Sequence, residues 1–205
     1  MELEIDRKLH GFTVLTSEDL PEIDGRAYTL VHEESGAKLL YLQNDDANKA
    51  FSISFKTPPA DDTGVFHILE HSVLCGSDKF PVKEPFVNLL KSSMQTFLNA
   101  MTFPDKTMYP VASTNEQDLL NLMDVYMDAV LHPQIYRKRA IFEQEGWHYE
   151  LTEAEAKPHE EDEPPAPPAA PAASTSPASP TPRLKVNGVV YNEMKGALSD
   201  PNSVL

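Results

Sequence analysis

His67-Ile68-Leu69-Glu70-His71 sets two imidazoles four residues apart, with a carboxylate directly before the second. If the segment is helical, residues four apart share a face, so His67 and His71 project together and can close on one metal ion. Glu70 then stands beside the pair without replacing either ligand. From there its carboxylate can take a proton from water activated by the metal and later return it to a leaving amine. The same five residues also fit a helix that carries two structural histidines. A catalytic zinc ion needs a third protein ligand as well, which the pentapeptide does not contain.

The elements around the motif must position it. "RAYTLVHE" and "AKLLYLQ" flank Glu34-Ser35-Gly36 and read as a hairpin. "AFSISFK" alternates, with Phe51, Ile53 and Phe55 on one side and Ser52 and Ser54 on the other, the period of a half-buried strand. "TPPADDTG" breaks that strand before the motif helix. Beyond Pro85, "EPFVNLLKSSMQTFLNA" keeps helical spacing at Phe86, Leu89, Leu90, Met94 and Phe97. "NAMTF" and "TMYPVA" predict two short strands joined by Pro104-Asp105-Lys106. A long helix follows, with Ser113 and Glu116 as a capping-box pair and an apolar stripe of Leu119, Leu122, Met123, Tyr126, Met127 and Val130. "QIYRKRAIFEQE" predicts a short helix, "GWHYEL" a strand, and "RLKVNGVVYNEMKGAL" a strand entering a helix.

The chain has 205 residues and a formal net charge of -15, from 32 acids against 17 bases. That balance argues against a nucleic acid partner, which requires a basic footprint. The single cysteine, Cys75, excludes an intramolecular disulfide and is expected to pack as a small buried hydrophobe. No basic-then-apolar leader or Arg/Ser-rich transit text opens the chain, and no run approaches the roughly 18 apolar residues of a membrane span. The expectation is a cytoplasmic protein without membrane partners. Between residues 153 and 183 the text turns to Pro, Ala and acids, "EEDEPPAPPAAPAASTSPASPTP", which cannot offset its ordering entropy and is expected to be disordered. Both flanks are apolar, so this stretch reads as an insertion in one domain. The expected organisation is a core region 1–152, the insertion 153–183 and a continuation 184–205. His10, His32, His132, His148 and His159 lack partners at ligand spacing and read as ordinary surface or core residues.

H-x-x-E-H inverts the H-E-x-x-H order and belongs to the inverzincin pattern. "DDTGVFHILEHSVLCGS", "TFLNAMTFPDKTMYP", "QEGWHYEL" and "NGVVYNEMKG" occur here in that order. Together the four blocks resemble the pitrilysin/insulinase superfamily of zinc metallopeptidases, in its presequence-protease branch, over nearly all of the chain outside the insertion. The resemblance implies an α+β fold, an antiparallel sheet packed with helices, and an endopeptidase acting on short unfolded peptides with Zn2+ as cofactor. It implies His67, His71 and Glu193 as metal ligands and Glu70 as general base. It also implies Asn99 and Ala100 on an edge strand that binds peptide substrate through main-chain bonds. Taken alone, Glu193 also fits an acid in the first turn of a helix, favoured by the helix dipole, and Asn99 fits a helix C-terminal cap.

Members of this branch are several times longer and enclose their substrate between two halves. The missing C-terminal half is expected in cis or in trans, and the 205 residues alone are expected to have little activity. The competing reading is a non-catalytic fragment or scaffold subunit of the same fold, against which the intact motif stands.

Overall fold

The computed structural model of the chain describes residues 2–82, 85–152 and 182–199, apart from the side chains of 85 and 87. The chain divides into two compact units, Met1–Lys49 and Ala50–Leu205. The expected disorder of the insertion, with His159 inside it, lies outside the described residues.

The first unit is a meander. Strands β1 (Lys8–Leu9), β2 (Phe12–Leu20), β3 (Gly25–His32) and β4 (Lys38–Gln43) pair antiparallel in chain order. The Glu34-Ser35-Gly36 turn between β3 and β4 is closed by His32 N–H to Ala37 O at 2.8 Å and Gly36 N–H to His32 O at 2.9 Å. Leu3, Val14, Tyr28 and Leu30 form the core of this unit.

The second unit begins on β5 (Lys49–Lys56) and the motif helix α1 (Val65–Val73). It continues through α2 (Pro85–Ser92), β6 (Gln95–Leu98), β7 (Met101–Thr102), β8 (Lys106–Ser113), α3 (Glu116–Leu131) and α4 (Arg139–Glu145). It closes with β9 (His148–Thr152), β10 (Arg183–Asn187) and α5 (Val189–Ala197). In one sheet β8 lies between β5 and an edge made by β6 and β7, both antiparallel to it. β9 and β10 form a separate antiparallel pair in which Thr152 faces Arg183 and His148 faces Asn187. Arg183, expected as the last residue of the insertion, is instead the first of β10, because it pairs with Thr152. The described chain on either side of residues 153–181 therefore pairs directly. The architecture is α+β with antiparallel sheets, as expected.

α1, β8 and α3 share a core of Val73, Tyr109, Val111, Leu119, Leu122 and Tyr126. Leu119, Leu122 and Tyr126 come from the predicted stripe of α3, and Phe51 and Ile53 of β5 pack against the same core. Two local expectations are corrected. The helix read through Phe97 ends at Ser92, and Gln95–Leu98 is strand β6. Pairing with β8 wins there, and Met94 and Phe97 are exposed. The cap of α3 is Asn115, whose side chain accepts from Asp118 N–H at 2.9 Å. Ser113 ends β8 and donates to Met94 O at 3.3 Å instead. Among the described residues no helix is long and apolar enough to cross a membrane.

Candidate metal centre

Helix α1 follows the Pro-Pro break and begins after Gly64, which adopts the left-handed conformation. Its buried face carries Ile68, Ser72 and Val73, and also Glu70. The two histidines lie at the margin of that face. Their rings are 4.9 Å apart between centroids and inclined at 74°.

Glu193 arrives from α5. The β9–β10 pairing returns the chain to the end of α4, and Gly188 lets it turn there into α5. A Cβ at Gly188 would lie 2.1 Å from Gly146 O and 2.7 Å from Trp147 Cα, so no side chain fits. Glu193 Oε2 lies 3.8 Å from His67 Nε2 and 3.5 Å from His71 Nε2. The ligand atoms of these three residues all fall within 4.8 Å of one another. Donor atoms about 2.0–2.2 Å from one tetrahedral zinc ion are separated by roughly 3.3–3.6 Å. The 3.5 Å separation matches that spacing, and the 3.8 Å one is wider. Two imidazoles and a carboxylate suit such an ion in donor type, with a small inward movement closing the set around it. Glu193 sits in the second turn of α5, which removes its reading as a first-turn acid.

Glu70 is buried, and Thr102 Oγ1 on β7 donates to its Oε2 at 2.6 Å. Thr107 Oγ1 follows at 3.5 Å from Thr102 Oγ1, and Thr57 Oγ1 lies 2.9 Å beyond that. On the far side of His71, Nδ1 lies 3.3 Å from Oε2 of the buried Glu145 at the end of α4. Hydrogen bonding to Glu145 raises the His71 pKa; burial opposes the shift, and the charges of Glu70, Glu193 and Glu145 assist it. The same bond holds the Glu145 carboxyl below its ordinary value against the effect of its own burial. Three carboxylates thus converge on two imidazoles, an arrangement that a cation would balance.

These residues open onto a cavity of about 830 Å³, bordered by Leu74, Phe86, Asn99, Ala100, Phe103 and Val189. Asn99 and Ala100 lie between β6 and β7 on the sheet edge, with Asn99 N–H donating to Pro110 O at 3.1 Å. The reading of Asn99 as a helix cap is corrected, because a strand precedes it. Cys75 is half-buried rather than fully buried, lines the same cavity and donates to Glu145 Oε1 at 3.4 Å. His132 and His148 have local partners, Asp128 and the carbonyl of Glu143.

Sequence reasoning missed Thr102 and Glu145. Glu145 left one signal: it stands three and four residues after Phe142 and Ile141, on the inward side of α4, where a lone acid is out of place. Thr102 left none. In the first unit, a hollow of about 640 Å³ is lined by Asp19, Arg26 and Glu2. Its one cation, Arg26, is already paired with both of those acids.

The family described as Insulinase (Peptidase family M16) matches residues 57–166, more than half of the chain. The chain belongs to this insulinase family of peptidases. Protein HypA of Clostridium perfringens (strain 13 / Type A) is 55% identical over 195 residues, 95% of this chain and 17% of that protein. Presequence protease 1, chloroplastic/mitochondrial, of Arabidopsis thaliana is 46% identical over 195 residues, 95% of this chain and 16% of that protein. The crystal structure of pitrilysin shares the fold with a TM-score of 0.53 at 21% identity, over 63% of this chain and 14% of that one. The chain therefore spans about a sixth of the length of the curated relatives it matches.

Proposed function

We propose that this chain carries the metal site of a zinc metalloendopeptidase that hydrolyses short unfolded peptides. The observation that carries the reading is the meeting of His67, His71 and Glu193 from two segments 122 positions apart in sequence (193 minus 71), with the buried Glu70 beside them. Family membership supports it, as do the names of the presequence-protease relatives.

Bound there, zinc supplies a Lewis acid that polarises the scissile carbonyl and acidifies water. His67 and His71 would hold the ion from α1, and Glu193 would hold it from α5. Glu70 accepts the proton of the attacking water and passes it to the departing amine. With one carboxylate oxygen engaged by Thr102, the other remains to move that proton. The edge at β6 and β7 pairs only with β8 among the described residues, so an extended peptide can add beside Asn99 and Ala100 through main-chain bonds. Such binding selects backbone shape over side-chain identity. The relatives are about six times longer. On this reading a further part, in cis or in trans, is expected to close the site, and the 205 residues alone to have little activity.

The test pairs metal content with turnover. Glu193→Ala lowers zinc occupancy by elemental analysis. Glu70→Gln keeps zinc and abolishes peptide hydrolysis in the full-length context. Unchanged zinc in the first variant removes Glu193 from the ligand set, and retained turnover in the second removes Glu70 from the mechanism.

A further inference from the structure

We propose that Glu145 is the positioning residue for His71: its carboxylate accepts a hydrogen bond from Nδ1–H, fixes the tautomer and orientation of the ring, and leaves the Nε2 lone pair facing Glu193. The proposal rests on the metal reading above and adds a residue to it.

The geometry is specific. Glu145 Oε2 lies 3.3 Å from His71 Nδ1, while Oε1 accepts from Gln144 Nε2 at 2.8 Å and from Cys75 Sγ at 3.4 Å. An ionised carboxylate only accepts, so the ring nitrogen facing it must carry hydrogen. A neutral imidazole has one N–H, which leaves Nε2 bare, 3.5 Å from Glu193 Oε2. Glu145 itself lies outside the three-residue ligand cluster, so it acts on the ligand and not on the ion.

Local electrostatics do not explain Glu145. It is the last residue of α4, where a helix favours cations over carboxylates, and it is buried. A buried acid at that end needs a strong partner, and His71 supplies one. Close packing of α4 against α1 keeps the two together: a Cβ on the next residue, Gly146, would lie 3.2 Å from Ile68 Cγ2 and 2.9 Å from Phe142 O. Among the described residues no carboxylate makes the equivalent bond to Nδ1 of His67. Glu145 therefore presets His71 and not His67.

Zinc is titrated into the full 205-residue chain against a chromophoric chelator, and the ring nitrogens are read by 15N NMR in the metal-free state. Removing an outer partner of a ligating histidine weakens metal binding by about 10–100-fold, and Glu145→Ala should fall in that range. Glu145→Gln should recover part of the loss, because its amide oxygen still accepts from Nδ1–H. In the metal-free unsubstituted chain, at a pH high enough for both rings to be neutral, His71 should be the Nδ1–H tautomer. Glu145→Ala should shift it toward Nε2–H, with His67 unchanged as an internal control. An Nε2–H form of His71 in the unsubstituted chain overturns the proposal, as does a folded Glu145→Ala chain whose zinc affinity stays within about twofold of the original. If Glu145→Ala does not fold, Glu145→Gln and the unsubstituted tautomer decide. If the unsubstituted chain takes no zinc, the metal reading falls and the tautomer alone decides the role of Glu145.

Discussion

Thr102 determines which oxygen of Glu70 is free. Its hydroxyl holds Oε2 at 2.6 Å, and Thr107 and Thr57 extend the line of hydroxyls away from the cavity. Valine at 102 keeps the shape and removes the donor. A hydrogen bond to a charged group contributes about 1.5–3 kcal/mol, so Thr102→Val should lower kcat of the longer peptidase by about tenfold or more. KM and zinc content should stay unchanged, and Thr102→Ser should restore the rate. Steady-state kinetics with metal analysis check this, and an unaltered kcat removes Thr102 from the site. At this scale His67, Glu70 and His71 were legible because one helical turn brings them together. Glu193 emerged only through resemblance, as one acid among 32. Thr102 and Glu145 bond across 32 and 74 positions, and no local period reports such contacts.

The elements matter through their crossings. α4 and α5 meet where Gly146 and Gly188 pass without side chains, and α5 carries Glu193. In Gly188→Ala the new methyl group meets backbone atoms that no rotamer change can move aside. Overpacking of this kind costs about 1–3 kcal/mol, so Tm should fall by several degrees and zinc affinity should fall with it. Thermal melts with and without zinc measure both, and a variant with wild-type affinity would show that the crossing does not place Glu193. A second crossing joins the segment after α1 to α3. Asp128 Oδ2 accepts from Lys79 N–H at 2.8 Å, and Oδ1 lies 3.1 Å from His132 Nδ1. Burial pushes this carboxyl up, yet hydrogen bonds from Lys79 and His132 help hold it below its ordinary 3.8. A pKa lowered by folding stabilises the fold above that ordinary value, and the contribution is lost as pH falls through the lowered one. Asp128→Asn should therefore melt earlier at pH 7, with the gap to the unsubstituted chain closing in acid below about pH 3.8. A gap that persists there would assign the effect to packing. Most elements were legible from period and punctuation. β6 was not, because Met94 and Phe97 stay in helical phase with α2, and only pairing with β8 separates strand from helix. Ser113 and Asn115 both suit a cap, and β8 claims Ser113 first.

At the scale of the whole chain, Glu193, the proposed third ligand, lies beyond residues 153–181 and still reaches His67 and His71. The β9–β10 pairing makes this possible, since Thr152 and Arg183 are partners whatever lies between them. Each doubling of a flexible loop costs only about 0.6 kcal/mol. Replacing 153–181 with a short Asn-Gly turn should therefore leave zinc affinity within about twofold and raise Tm slightly, as measured by chelator competition and melting. A large loss of affinity would mean that the segment supports the site. The change in composition made the insertion legible, and the apolar text on both sides showed that the fold resumes. The pairing itself was not legible, because a gap of this length hides the register.

The same five rungs between β9 and β10 carry a consequence for chain integrity. A polypeptide severed anywhere within 153–181 would yield one piece with both imidazole donors and another with the distal glutamate. Each piece would keep one side of the ladder. Expressed as separate genes, the two should find each other and reconstitute an ion-binding unit that neither contains by itself.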